Sequence, residues 1–253
     1  MRILITNDDG LHSAGLAIVA ERLADIAELY IAAPLSERSG SGHGLTVHTP
    51  LRAYRRPLPG ICERAWAVDG YPADCVKLAF EQLMPEPADI VVSGINHGGN
   101  LGTDIIYSGT VAGALEGYLY GASAIAVSET GMRRERGSGN FTYAAELVRE
   151  ICLDWQAAGF EPHQIWNINV PGSVPQDIKG RKFTYMGRRW YSKAYDVRED
   201  PNGRPYYWLC GSVDDSACGA GSDIEACNSG YVSLTPLDGD LTNYQRLEQL
   251  KGV

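Results

Sequence analysis

Short apolar runs alternate with longer amphipathic stretches along most of the chain. Residues 2–6 (RILIT) are an almost continuous apolar run, as expected of a strand buried on both faces. Behind Ser13, a residue suited to cap a helix, Leu16, Val19, Leu23 and Ile26 recur at helical spacing and predict a helix over 13–26. The alternation continues with strands over 28–33 (stopped by Pro34), 65–69, 89–94, 122–128 and 165–170 (closed by Pro171). Pro72 opens a helix in which Val76, Ala79, Phe80 and Leu83 share a face. A helix over 109–120 is built of small residues, and one over 141–157 carries Ala144, Leu147, Val148, Ile151 and Trp155 on one side. Such strands alternating with helices predict an α/β fold with a mostly parallel sheet covered on both faces. Ligands in these sheets bind past the carboxyl ends of the strands.

Residues 183–210 break the pattern. They are rich in aromatics (Tyr185, Trp190, Tyr191, Tyr195, Tyr206, Tyr207, Trp208) and are divided by Asp200-Pro201-Asn202-Gly203, a turn signal. This predicts a long β-hairpin whose aromatics exceed what one face of a small domain covers, pointing to subunit contact.

Composition changes the picture little. The 253 residues are 44% hydrophobic and 21% charged, ordinary for a globular chain. A net charge of −9 excludes broad binding to a nucleic-acid duplex, which needs basic residues against phosphates. It does not exclude one small phosphorylated ligand held through a cation. The start of the chain lacks the features of a signal peptide, and no run approaches a membrane span, so a cytoplasmic protein away from membranes is expected. The absence of a C-x-x-C pair argues against a zinc site, and without a secretion signal the six cysteines read as reduced thiols.

Candidate chemistry sits in three polar loops, each after a predicted strand: Asn7-Asp8-Asp9-Gly10, residues 36–44 (SERSGSGHG) and residues 94–110. In a parallel sheet all three gather at one edge. Adjacent carboxylates repel unless a cation lies between them, and a hard divalent ion takes one or two carboxylates with neutral oxygens and water. Alone, Asp-Asp-Gly reads equally as a turn or cap. Ser108-Gly109-Thr110 opens a helix whose first N–H groups favour an anion, and it reads equally as an ordinary N-cap. Few basic residues lie in these loops; Arg38 is the exception. His43, His97 and His12 are candidates to donate a proton to a leaving group.

Five segments in order, ITNDDG at the start, ERSGSGHGLT at 37–46, PADCV at 72–76, VVSGINHGGNLG with YSGTVAGALEG within 91–117, and NSGYVSLTPL at 228–237, resemble the SurE (survival protein E) family over nearly the whole chain. The resemblance implies a Rossmann-like three-layer fold with a catalytic core over residues 1–182. Residues 183–253 would be a protruding hairpin arm and C-terminal extension of the same domain, serving oligomerisation as a homodimer or homotetramer. It implies a phosphatase releasing phosphate from nucleoside 5′-monophosphates, in some members also 3′-monophosphates or polyphosphate. One Mg²⁺ or Mn²⁺ per subunit would be held by Asp8, Asp9, Ser39 and Asn96, with the phosphate at Asn96, Ser108, Gly109 and Thr110. Asp8 and Asp9 would be catalytic, orienting or deprotonating the attacking water; a covalent aspartyl phosphate is the alternative. Ser41, two residues on, is an alternative to Ser39. Tyr71 departs from the family pattern, where Thr is more frequent. Two rival readings share the fold, a nucleotide-dependent transferase and a sensor that binds metal and nucleotide without turnover, and release of free phosphate separates them.

Overall fold

The computed structural model describes residues 1–131, 141–160, 163–172, 175–193 and 195–251. The apolar runs become strands of one sheet: β1 (Arg2–Thr6), β2 (Glu28–Pro34), β3 (Ala53–Arg55), β4 (Ala65–Val68), β5 (Ile90–His97), β6 (Ser123–Glu129) and β7 (Ile165–Val170). Two later segments join them, β8 (Arg181–Phe183) and β13 (Val232–Leu237). The nine-stranded order is β3-β4-β2-β1-β5-β6-β7-β13-β8. Pairing is parallel from β4 through β7, with β3 antiparallel at one end. β13 runs antiparallel to β7 and parallel to β8. A segment of the chain's last quarter is therefore built into the core sheet.

Helices cover both faces, as the two-sided apolar strands demand. On one face Ile3 and Ile5 pack with α1 (Ala14–Leu23) and α4 (Phe141–Ala157), through Leu16, Val19, Leu147, Ile151 and Trp155. On the other, Leu4 and Val91 pack with α2 (Pro72–Leu78) and α3 (Gly109–Leu119), through Cys75, Val76, Val111 and Ala114. The architecture is the expected three-layer α/β fold. Helix α1 ends at Leu23, before the predicted Ile26, which packs on the core as a partly buried residue beyond the helix. Helix α2 passes into a wider π-turn over Ala79–Leu83, which carries Phe80 and Leu83 onto the same cluster.

Helix α3 is brought close against the sheet. A Cβ on Gly117 would lie 2.3 Å from Cγ2 and 2.6 Å from Cβ of Val91 on β5. Small residues along α3 let the helix backbone lie directly on the strands, and this height sets where its N-terminus arrives.

The aromatic segment forms two short ladders in line. β9 (Trp190–Ser192) pairs with β12 (Ser212–Asp214), and β10 (Tyr195–Glu199) pairs with β11 (Pro205–Leu209) around the predicted turn. The hairpin thus runs to Asp214, beyond the predicted 210, while residue 183 belongs to the core sheet. Its aromatics are exposed, Tyr195, Tyr207 and Trp208 at 61%, 63% and 59%. Helices α5 (Asp223–Asn228) and α6 (Tyr244–Lys251) complete the chain. No helix among the described residues is long and apolar enough to cross a membrane. The six cysteines are free, and Cys75 and Cys152 are fully buried.

Gly117→Val tests the α3 contact. The added side chain collides with Val91 and should destabilise the fold by about 1–3 kcal/mol. A lowered urea midpoint, partly restored by Val91→Ala in the same chain, is the expected result.

Candidate active site

Strands β2, β1 and β5 are neighbours and parallel, so the loops leaving their carboxyl ends open on one edge. The strand order also reverses here: β2 and β4 lie to one side of β1, β5 to the other. This is the switch point at which open α/β sheets hold ligands.

The acidic loop is locked from beneath. Asn7, fully buried, accepts from Gly10 N through Oδ1 (3.0 Å) and donates through Nδ2 to Gly10 O (3.1 Å) and Ser13 Oγ (2.6 Å). Ser13 in turn caps α1, accepting from Leu16 N at 3.4 Å. One buried carboxamide therefore ties the turn bearing Asp8 and Asp9 to the start of α1.

Asp8 is only 5% exposed. Its Oδ1 accepts from Thr110 Oγ1 at 2.6 Å. Burial pushes its carboxyl up to about 6; the Thr110 hydrogen bond opposes this, and the nearby charges of Asp9 and Glu37 add to it. Asp9 is half-buried, and His97 N points at its Oδ2 from 3.5 Å, the outer limit of a hydrogen bond.

Helix α3 begins against Asp8. A Cβ on Gly109 would lie 2.9 Å from Asp8 Cβ, 2.9 Å from Ser41 Oγ and 3.1 Å from Asp8 Oδ2, so only glycine admits both side chains. Ser108 does cap the helix, its Oγ accepting from Val111 N at 3.0 Å. Both hydroxyls of Ser108-Gly109-Thr110 are thus engaged within the protein. What remains for an anion is the Ser108 O–H, since that oxygen only accepts in the cap, and the backbone N–H of Gly109 and Thr110, first-turn donors without a helical partner.

The 36–44 loop is pinned to both neighbours: Arg38 N donates to Asp8 O at 2.8 Å, and Gly42 N to Tyr107 O at 3.0 Å. Within it Ser39 is exposed and donates to Glu37 Oε1 at 2.7 Å. Ser41 Oγ is the hydroxyl beside Asp8 and Gly109; it is buried and makes no hydrogen bond. At the end of β5, Asn96 Nδ2 donates to Gly98 O at 2.7 Å, leaving its carboxamide oxygen for another partner. Asn100 then fastens this loop to β6 and β7, bonding Ser128, Asn167 and Asn169 at 2.8–3.0 Å.

The histidines divide. His43 Nε2 lies 2.7 Å from Oε2 of buried Glu116 on α3. The His97 ring packs edge-on to Phe141 of α4, with Nδ1 buried and unpartnered. His12 is exposed. The base of the arm also reaches the site: Arg189 bonds Asp215 at 2.8 and 2.9 Å and Asp104 at 3.1 Å, and Thr103 Oγ1 donates to Arg189 O at 2.8 Å. Asp223, fully buried, accepts from Gly102 N (2.7 Å) and Gly187 N (2.8 Å). The segment leading to Ser108 is thereby held from the arm side. Nothing in the sequence singles out Asn7, Asn100 and Asp223, because a lone polar residue that turns inward leaves no periodic signal.

Among the described residues, no three His, Cys, Asp or Glu side chains form a metal cage. The donors present are two carboxylates with neutral oxygens from Asn96 and a serine, a set matching Mg²⁺ or Mn²⁺ and not zinc. The orphaned Ser41 hydroxyl and the raised Asp8 carboxyl both mark a place short of positive charge.

The Asp8 shift has a consequence for stability. The folded carboxyl holds its proton up to about pH 6 against an ordinary 3.8, so ionising it weakens the fold as pH rises through that window. In EDTA at pH 7, Asp8→Asn should therefore unfold later than the native chain, by on the order of 3 kcal/mol. The gain should vanish near pH 4, as urea titrations at the two pH values would show.

A family profile described as Survival protein SurE matches residues 3–193. A protein of Heliobacterium modesticaldum named 5′-nucleotidase SurE is 47% identical over 250 residues, covering 99% of this chain and 90% of that one. Another of that name, from Syntrophomonas wolfei, is 43% identical over 251 residues, covering 99% and 94%. The crystal structure of the SurE protein from Aquifex aeolicus superposes with a TM-score of 0.83 at 37% identity, covering 99% of this chain and 98% of that one. Full-length similarity in sequence and fold together establish that this chain belongs to the SurE family.

Proposed function

We infer that this chain is a 5′-nucleotidase, a metal-dependent phosphatase that hydrolyses nucleoside 5′-monophosphates to nucleoside and phosphate. The relatives named for that activity align over nearly its whole length. The observation that carries the reading at the level of chemistry is the buried Asp8 beside the start of α3. Asp8, Asp9 and Glu37 together would repel a phosphate, yet the helix start invites one. A divalent cation between carboxylates and phosphate reconciles the two.

In this reading Asp8, Asp9 and Asn96 hold Mg²⁺ or Mn²⁺, one ion per subunit, with a serine of the 36–44 loop. The family resemblance favours Ser39 for that place, and proximity to Asp8 favours Ser41. The bound ion would supply Lewis-acid stabilisation of charge on the phosphoryl oxygens. The protein does the rest. The N–H groups of Gly109 and Thr110 and the O–H of Ser108 receive the phosphate, while the Ser108 oxygen keeps the helix start in shape. Thr110 holds Asp8 in one rotamer. Asp9, less buried than Asp8, orients the attacking water or takes its proton. Asn96 contributes to both ion and phosphate. Core residues 1–182 carry this chemistry, and residues 183–253 serve assembly into a homodimer or homotetramer, the exposed aromatics of the arm being the supporting observation. A cytoplasmic site of action accords with the six free thiols.

Phosphate release from a panel of nucleoside 5′-monophosphates, with Mg²⁺, Mn²⁺ or EDTA, tests the reaction. The native chain should release phosphate only with metal, and Asp9→Ala should lose on the order of 10²-fold or more in kcat. Activity retained by Asp9→Ala at saturating metal would reject the assignment. Trimming residues 195–209 to a short turn tests assembly while sparing Arg189 and Asp215. A smaller mass by light scattering is expected, and an unchanged one removes the arm from the interface.

A further inference from the structure

Between the loop following β2 and the start of α2 lies an open groove of about 570 Å³, lined by Val47, His48 and Arg52 together with Arg38, Asp69 and Tyr71. That volume is typical of small-molecule sites. The cavity adjoins the acidic loop, since Arg38, part of its wall, is the residue whose N–H holds the Asp8 carbonyl at 2.8 Å. It is a built space. Asp74, buried at the start of α2, accepts from Thr46 N (3.0 Å), Thr46 Oγ1 (2.7 Å) and Tyr71 N (2.9 Å), fixing the loop to the helix.

Arg38 is held over the Tyr71 ring, 5.5 Å from its centroid, and bonded through Nη2 to Asp69 Oδ1 at 3.2 Å. Its Nε is buried and has no acceptor. The rest of the side chain is about a third exposed, so a face of the guanidinium stays open beside the ring. Two arginines and His48 against Asp69 make this wall basic in a chain of net charge −9, which suits an electron-rich ligand. Guanidinium and phenol planes both stack on heteroaromatic rings.

We propose that this cavity is the nucleoside subsite, with the base stacked on the Arg38–Tyr71 platform while the 5′-phosphate reaches the start of α3. The proposal rests on the nucleotidase reading and adds to it which residues distinguish a nucleotide from a bare sugar phosphate. Arg38 and Tyr71 present the stacking surface to the base, and Asp69 holds the guanidinium in its stacking position.

The test compares kcat/KM for adenosine and uridine 5′-monophosphates with that for ribose 5-phosphate, the same ester without a base. The chains are the native one, Arg38→Ala and Tyr71→Thr, the second keeping a residue able to cap α2. Saturation-transfer NMR with adenosine and uridine, in EDTA, reads the cavity without turnover. Each variant should lose about tenfold of the preference for nucleotide over ribose 5-phosphate, the loss falling on KM, and the nucleoside signal should fade. An unchanged preference in both variants, or nucleosides that do not bind the native chain, would overturn the proposal. Failure of the nucleotidase reading looks different: no ester releases phosphate from the native chain, while nucleoside binding, and its loss in the variants, still reports on the cavity.

Discussion

An ionised carboxylate taken out of water has to be compensated, and the placement of Asp8 organises the structure around that requirement. Asp8 sits at the carboxyl end of a central strand, bonded to Thr110 and facing the first turn of α3. The helix can be there only because it lies low on the sheet, its Gly117 against Val91 and its Gly109 against Asp8. The partial positive charge of a helix start and one hydroxyl offset part of the cost of burial. They leave the carboxyl pushed up to about 6, a cost that a cation held there would relieve.

Around this point, long loops are made rigid by one buried or half-buried polar residue each. Asn7 closes the acidic turn, Asn100 fastens the loop after β5, Asp74 ties the 44–50 stretch to α2, and Asp223 clamps the segment before Ser108 to the root of the arm. Each side chain satisfies backbone groups that a loop cannot pair within itself. Arg189, bonded to both Asp215 and Asp104, makes the arm's root continuous with the wall of the site. A disturbance of the arm near its root would therefore be felt at Ser108, whereas its tip projects away with its aromatics exposed.

The acidic chain and its anionic substrate are not in conflict once charge is resolved locally. Carboxylates gather where a metal is expected, and the basic side chains of Arg38 and Arg52 gather beside it, around the cavity. The loop over residues 36–44 borders both the acidic turn and the cavity, so a shift of that loop would act on phosphate chemistry and base recognition alike.

How much of this was legible in the chain differs by element. Continuous apolar runs and helical spacing determined the strands, the helices, the parallel layering and the edge on which the ligand loops meet, because these follow from burying periodic side chains. The motifs placed Asp8, Asp9, Asn96 and Ser108–Thr110 on that edge. The tertiary structure alone decided the insertion of β13 between β7 and β8, the pairing of His43 with Glu116, and the burial of Ser41 in place of Ser39 beside Asp8. It also decided that the Thr110 hydroxyl is given to Asp8, whereas Ser108 accepts in the helix cap and keeps its O–H. These depend on contacts between residues tens of positions apart and on which of two neighbouring side chains a loop turns inward, and neither is written in the spacing of residues along the chain.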